Sequence, residues 1–196
     1  MSIVTLVSGG LDSTVMAVLA DEEKLQQFPL FIDYGQVNRD KEYHSCLYNF
    51  KRIGLPTPEV INLAGFGSLI SSGLTDTNKR VLEDAFLPCR NLLFLTVGAA
   101  YAYQCNANAV AIALLDETIS LFPDQTRDFI SEAEALISKS LGRSICIKTP
   151  LISFSKADVI LIAKARGIEE TYSCHSGTEE PCGVCIACRE YSDWEV

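Results

Sequence analysis

Short apolar runs alternate with longer periodic segments through the first 170 residues, the pattern of a repeated βα unit packed around a parallel sheet. Ile3 to Val7 is apolar except at Thr5 and predicts a buried first strand. Asp12 to Gln27 carries Val15, Met16, Val18, Leu19 and Leu25 at helical spacing and predicts a helix that stops before Pro29. Leu30 to Ile32 predicts a second strand ending in the turn Asp33-Tyr34-Gly35. Val37 to Ile53 predicts a helix closed by Gly54, and Glu59 to Leu63 a third strand. Residues 64–88 are rich in Gly, Ser and Thr with no sustained period, so a long loop acting as a lid or shoulder is expected. Asn91 to Gln104 is almost wholly apolar and predicts a buried helix, followed by a strand at Ala109 to Leu115. Pro123 opens a helix to Leu141, Ile145 to Ile147 is the last strand, and Ser155 to Arg166 the last helix, with a Ser155/Asp158 capping box and Gly167 at its end. The expected architecture is α/β: an open sheet of about five parallel strands with helices on both faces over residues 1–170, then a metal-binding C-terminal segment over 171–196.

Composition narrows the function. At 48% hydrophobic and 21% charged the chain is ordinarily globular, which excludes disordered and collagen-like classes. No apolar run approaches the roughly 18 residues a membrane span needs, and the segment before Gly9 has neither a basic region nor a cleavage site, so a cytoplasmic protein is expected. Sixteen basic against twenty-five acidic residues give a net charge of -9, which disfavours a nucleic-acid partner. The late cluster of Lys139, Arg143, Lys148, Lys156, Lys164 and Arg166 reads mostly as solvated helix faces.

Two segments carry chemistry. Ser8-Gly9-Gly10-Leu11-Asp12-Ser13-Thr14 joins the first strand directly to a helix, where glycine backbone N–H groups, hydroxyls and the helix N-terminus form an anion cradle. It is neither a Walker loop nor a dinucleotide fingerprint. Asp12 has two candidate roles, holding Mg²⁺ between phosphates or organising the loop. Arg90 and Asn91 stand at a predicted helix start, placed to meet phosphate or a substrate carboxylate. Cys174, Cys182, Cys185 and Cys188 supply four thiolates for a closed structural Zn²⁺ site, although thiolates alone do not separate zinc from an iron–sulfur cluster. His175 reads as a polar neighbour of that cluster and His44 as an ordinary helix residue.

The loop resembles the signature of the N-type ATP pyrophosphatases, which implies a Rossmann-like fold and cleavage of ATP to AMP and pyrophosphate, with Ser8, Asp12, Ser13, Lys156 and Arg90 catalytic. Further motifs follow in order: Asp33-Tyr34-Gly35-Gln36 with Glu42, Pro88-Cys89-Arg90-Asn91, Phe122-Pro123-Asp124 with Phe129, Pro150-Leu151 with Lys156, and the cysteine cluster. Together they resemble the 7-cyano-7-deazaguanine synthase family from Ile3 to Arg189. The resemblance implies adenylation of the carboxylate of 7-carboxy-7-deazaguanine, displacement of AMP by ammonia, and dehydration of the amide to a nitrile with a second ATP. Residues 8–14 would then hold the nucleotide, Tyr34 and Gln36 would line the nucleotide or the ammonia side, and Arg90, Asn91 and Asp124 would hold the substrate. Asp124 reads equally well as an acid favoured by a helix dipole. A homodimer is also expected.

The chain departs from the family pattern at Gln125-Thr126, where a cysteine and an arginine are usual, at Ala113-Leu114-Leu115, which lacks a glycine, and at His175, where an aromatic is usual. Arg127 is a candidate replacement for the missing cation. A divergent relative would pass the activated acid to another amine, for example on a protein. The remaining alternatives are RNA thiolation, with Cys89 as the candidate thiol, and an inactive zinc-bearing partner module.

Overall fold

The computed structural model describes residues 1–116, 118 and 121–192. Five parallel strands form one sheet: β1 (Ser2–Val7), β2 (Gln26–Asp33), β3 (Glu59–Asn62), β4 (Ala109–Ala111) and β5 (Cys146–Lys148), in the order β3-β2-β1-β4-β5. The helices are α1 (Leu11–Glu22), α2 (Arg39–Ile53), α3 (Ala64–Leu69), α4 (Arg90–Gln104), α5 (Arg127–Leu141), α6 (Lys156–Ala165) and α7 (Ile186–Ser192). Among the described residues no helix is long and apolar enough to cross a membrane.

Side chains alternate across β1 and divide the core in two. Val4 and Leu6 join Leu95, Ala99 and Ala102 of α4 and Ile130, Ala133 and Ile137 of α5 on one face. Ile3 and Val7 join Val15 and Met16 of α1, Phe50 of α2 and Val159 of α6 on the other. Both faces are therefore covered, as a parallel sheet requires. The chain reverses its direction of strand addition at β1, so the loops after β1 and β4 part at their C-terminal ends and leave a crevice.

Several elements differ from the sequence expectation. The first helix stops at Glu22 rather than Gln27, because Lys24 takes a left-handed turn (φ 55°) and Gln26 and Gln27 enter β2. Gln27 is buried there, its amide donating to Ala17 O at 2.9 Å and its Oε1 accepting from Thr5 at 3.3 Å. Pro29 lies within β2, tolerated because β3 pairs only from Leu30 onward. β4 ends at Ala111, although Ile112 N–H still donates to Lys148 O at 3.0 Å. The helix expected from Pro123 divides into a 3₁₀ turn at Pro123–Gln125 and α5, whose start is capped by the Thr126 hydroxyl accepting from Phe129 N–H. The expected loop over 64–88 opens with α3. Gly67 permits its close approach to β2, since a Cβ there would run into Tyr34 O.

Candidate active site

The crevice holds a cavity of about 270 Å³ bounded by the loop after β1, the ends of β2 and β4, the start of α4 and the C-terminal segment. Ser8, Gly10, Asp12 and Ser13 reach its wall. The loop is fastened internally: Ser8 N–H donates to Ser13 Oγ and Gly10 N–H to Ser8 Oγ, while the Ser13 and Thr14 hydroxyls donate to Gly10 O at 3.1 and 2.9 Å. Among the described residues no side chain caps α1, and first-turn N–H groups of this kind suit an anion. Gly9, Leu11 and Thr14 stand behind the wall. Gly9 has φ 85° and lies against the Glu42 carbonyl, Leu11 belongs to the core, and Thr14 is fully buried.

Lys156 reaches this loop from the first turn of α6. Its ammonium lies 2.9 Å from each Asp12 carboxylate oxygen and 2.9 Å from Glu190 Oε2, with the Tyr191 ring centroid at 5.0 Å. The side chain is 8% exposed. Burial alone would lower its pKa, but the neighbouring acids Asp12, Tyr191 and Glu190 outweigh that and raise it, so the charge is secure.

Tyr34, Gln36, Glu42, Arg90 and Asn91 also line the cavity. Arg90 lies over the Phe94 ring and donates to Asn91 Oδ1 through Nε and Nη2, both at 3.3 Å. Burial raises the Tyr34 phenol pKa against the opposing charge of Arg90. Glu42 is pushed up to about 7 by burial, against hydrogen bonds from Gln36 and Asn38 and the charge of Arg90. Asp124 is not brought to the wall: its Oδ2 accepts from Asn91 N–H at 3.2 Å and its carbonyl from Asn91 Nδ2 at 2.9 Å, which fastens the start of α4. Arg127 is not there either, its guanidinium donating to Ile152 O and Ser153 Oγ. Cys89 is exposed and outside the cavity wall.

The sulfur atoms of Cys174, Cys182, Cys185 and Cys188 all lie within 4.8 Å of one another, with Cys182 and Cys188 3.9 Å apart. Backbone N–H groups of Cys182, Cys185 and Cys188 donate to the sulfurs of Cys174, Cys182 and Cys185 at 3.3–3.4 Å, an arrangement that stabilises thiolates. The segment that carries this cluster is fastened to the cavity and lines part of it. Tyr172 N–H donates to Gly9 O, Asn38 Nδ2 to Cys174 O, and α7 contributes Ile186, Ala187 and Glu190 to the wall. His175 also lines it, its buried Nδ1 without a hydrogen-bond partner among the described residues. Burial, with the charges of Arg90 and Lys156, lowers its pKa to about 4. The roles of Glu190 and His175 on this wall have no local signature, because both depend on the tail folding back over the first loop.

Residues 2–193 match the sequence profile of the family described as queuosine biosynthesis protein QueC. A 7-cyano-7-deazaguanine synthase of Prochlorococcus marinus is 33% identical over 100% of this chain and 95% of its own length. One from a Nitratiruptor species is also 33% identical, over 96% and 91%. Among solved structures, the U34-tRNA thiolase NcsA from Methanococcus maripaludis, solved with its 4Fe-4S cluster, superposes with a TM-score of 0.57 at 14% identity, over 93% of this chain and 61% of that longer one. An NMN synthetase from Francisella tularensis gives 0.55 at 17% identity, over 91% and 68%. The structural likenesses bear on the fold alone, whereas the sequence match spans nearly every residue that builds the cavity. By that match the chain belongs to the QueC family of queuosine biosynthesis proteins.

Proposed function

We propose that the protein is a cytoplasmic ATP-dependent ligase that adenylates 7-carboxy-7-deazaguanine and converts it with ammonia to 7-cyano-7-deazaguanine, releasing AMP and pyrophosphate. The observation that carries this reading is the pairing of Asp12 and Lys156 in a cavity that Arg90 and Asn91 also line. Phosphate groups fit the N–H groups, hydroxyls and ammonium beside the loop, and a carboxylate fits the guanidinium and amide of Arg90 and Asn91. Lys156 stabilises charge that develops on the departing pyrophosphate, and the fixed loop supplies alignment for in-line attack by the substrate carboxylate. Asp12, a carboxylate on the wall beside the loop, suits Mg²⁺ carried in with the nucleotide.

The four-cysteine site fits one zinc ion better than an iron–sulfur cube. Tetrahedral bonds of about 2.3 Å put sulfurs about 3.8 Å apart, close to the 3.9 Å between Cys182 and Cys188, whereas a cube must spread its thiolates over four metal corners. With no open ligand position, the ion serves to hold residues 171–192 against the nucleotide loop.

The test is AMP release by the purified protein with ATP and 7-carboxy-7-deazaguanine, with and without ammonia, and mass spectrometry of the base. Nitrile formation supports the reading. An accumulating adenylate with no nitrile assigns a different amine acceptor, and no AMP with this acid overturns the substrate.

A further inference from the structure

Among the described residues three acidic side chains line the cavity, Asp12, Glu42 and Glu190. Asp12 and Glu190 are both spent on Lys156. Glu42 has no ion pair among the described residues: its Oε1 accepts from Asn38 Nδ2 and its Oε2 from Gln36 Nε2, each at 3.0 Å. Those amides are themselves fixed. Gln36, 5% exposed, also donates to Ile32 O and accepts from Tyr34 N–H, and Asn38, 3% exposed, also donates to Cys174 O. The carboxylate is thus clamped by one neutral donor on each oxygen, which leaves further acceptor capacity on a side chain that lines the cavity. Its backbone carbonyl packs on Gly9, so the clamp is positioned directly against the phosphate loop.

A carboxylate held at fixed geometry with unused lone pairs suits a small cation with several N–H donors. The proposed reaction, on which this inference rests, consumes one: ammonia exists in neutral water almost entirely as ammonium, which has no lone pair with which to attack. We propose that Glu42 is a catalytic residue that binds ammonium in the cavity and accepts its proton. The balance is simple. One N–H proton passes to a Glu42 oxygen, the freed ammonia forms a C–N bond to the acyl carbon, and the C–O bond to AMP breaks. AMP departs as its anion, and the proton left on nitrogen goes to solvent.

The surroundings agree with this role. The groups facing Glu42 are Arg90, Tyr34 and the Cys46 thiol, besides its two amides. Burial, with the charge of Glu42, raises both Tyr34 and Cys46, so they stay neutral, and among the described residues Arg90 is the full charge opposing protonation. A carboxyl that titrates near 7 carries its charge for ammonium and still accepts a proton at working pH.

The experiment compares ammonium chloride with hydroxylamine, which is uncharged at neutral pH, as the nucleophile for the full chain with ATP and 7-carboxy-7-deazaguanine. Glu42→Gln is expected to lose at least about tenfold more turnover with ammonium than with hydroxylamine at pH 7, and the gap is expected to narrow as pH rises. In the unaltered protein, KM expressed as total ammonium is expected to fall only about fourfold from about pH 6.5 to 8.5, as Glu42 ionises, and to be nearly flat above about pH 7.5. Equal losses with both nucleophiles would make Glu42 merely structural. A KM falling about tenfold per pH unit would show that free ammonia is the species bound, and either result overturns the inference. ATP–pyrophosphate exchange is measured in parallel: its absence in the unaltered protein overturns the proposed reaction and this inference with it, whereas its presence confines a failure to Glu42.

Discussion

Lys156 and Asp12 are 144 residues apart in the chain, yet the lysine Nζ lies equidistant, at 2.9 Å, from both oxygens of the Asp12 carboxylate. The pair closes the crevice between the loop after β1 and the start of α6. A buried ammonium without a partner would be costly, so Asp12 and Glu190 keep it charged and in place before any nucleotide arrives. Phosphate oxygens can then replace a carboxylate at Lys156 with little further loss of water. Lys156→Met would leave two acids facing an incoming triphosphate with no cation between them. AMP release is expected to fall by about 10²–10³ or more, the usual result of removing one preorganised charge from a reacting centre. Lys156→Arg should recover little, because a planar fork does not fit where one compact ammonium meets three carboxylate oxygens. A Met variant with AMP release close to that of the unaltered protein would remove Lys156 from the chemistry.

Gly9 tests how tightly the loop is seated. Its φ of 85° and the Glu42 carbonyl in the path of any Cβ forbid a side chain on two separate grounds. Gly54 has a similar φ of 82° but nothing within 4 Å of a Cβ. Gly54→Ala therefore carries the backbone penalty alone, about 1 kcal/mol, and Gly9→Ala should cost about 2–4 kcal/mol and abolish AMP release. Equal urea midpoints for the two variants would show that α2 moves aside freely.

The cysteine site should be inseparable from nucleotide turnover, because the same segment delivers Glu190 to Lys156 and Tyr172 N–H to Gly9 O. Freshly purified protein is expected to hold about one zinc per chain, and stripping it with a chelator should destabilise the tail and abolish AMP release together. Cys185 is fully buried, so Cys185→Ser should reproduce the loss. Full AMP release from metal-free protein would refute the coupling. A coloured, iron-containing preparation would replace zinc as the ion.

Much of this arrangement was readable from the chain alone because its signals are local. The order of strands and helices follows from periodicity, and the loop and the cysteine cluster each occupy a short stretch of contiguous sequence. The boundary between α1 and β2 was not readable, because Gln26 and Gln27 have no strand preference and are drawn into β2 by pairing with Ser2 and Ile3. Asp124 shows the same limit. Its type and place in a helix start suit base recognition, but its carboxylate and carbonyl accept from Asn91, 33 residues earlier, a partnership with no signature in the local sequence. Glu190 and His175 reach the site only through the folding of the tail over the loop, a long-range event without a pattern of its own.

Glu42 links this site to stability through pH. Its ordinary pKa of 4.5 is raised to about 7 in the folded protein, chiefly by burial. Between those values the native state holds a proton that the unfolded chain has released, so this residue's contribution to stability declines as pH rises from 4.5 to 7 and is flat above. Glutamine keeps the shape and never ionises, so in Glu42→Gln that decline is absent. Losing one acceptor for Gln36 or Asn38 lowers the variant's stability by an amount that does not depend on pH. The stability of the variant relative to the parent should therefore climb across the window, by at most about 3 kcal/mol and nearer about 2 once the carboxylate's contact with cavity water is allowed for. Urea midpoints at pH 5, 6, 7 and 8 measure it. A difference that stays constant across the series would mean that Glu42 titrates as an ordinary surface acid.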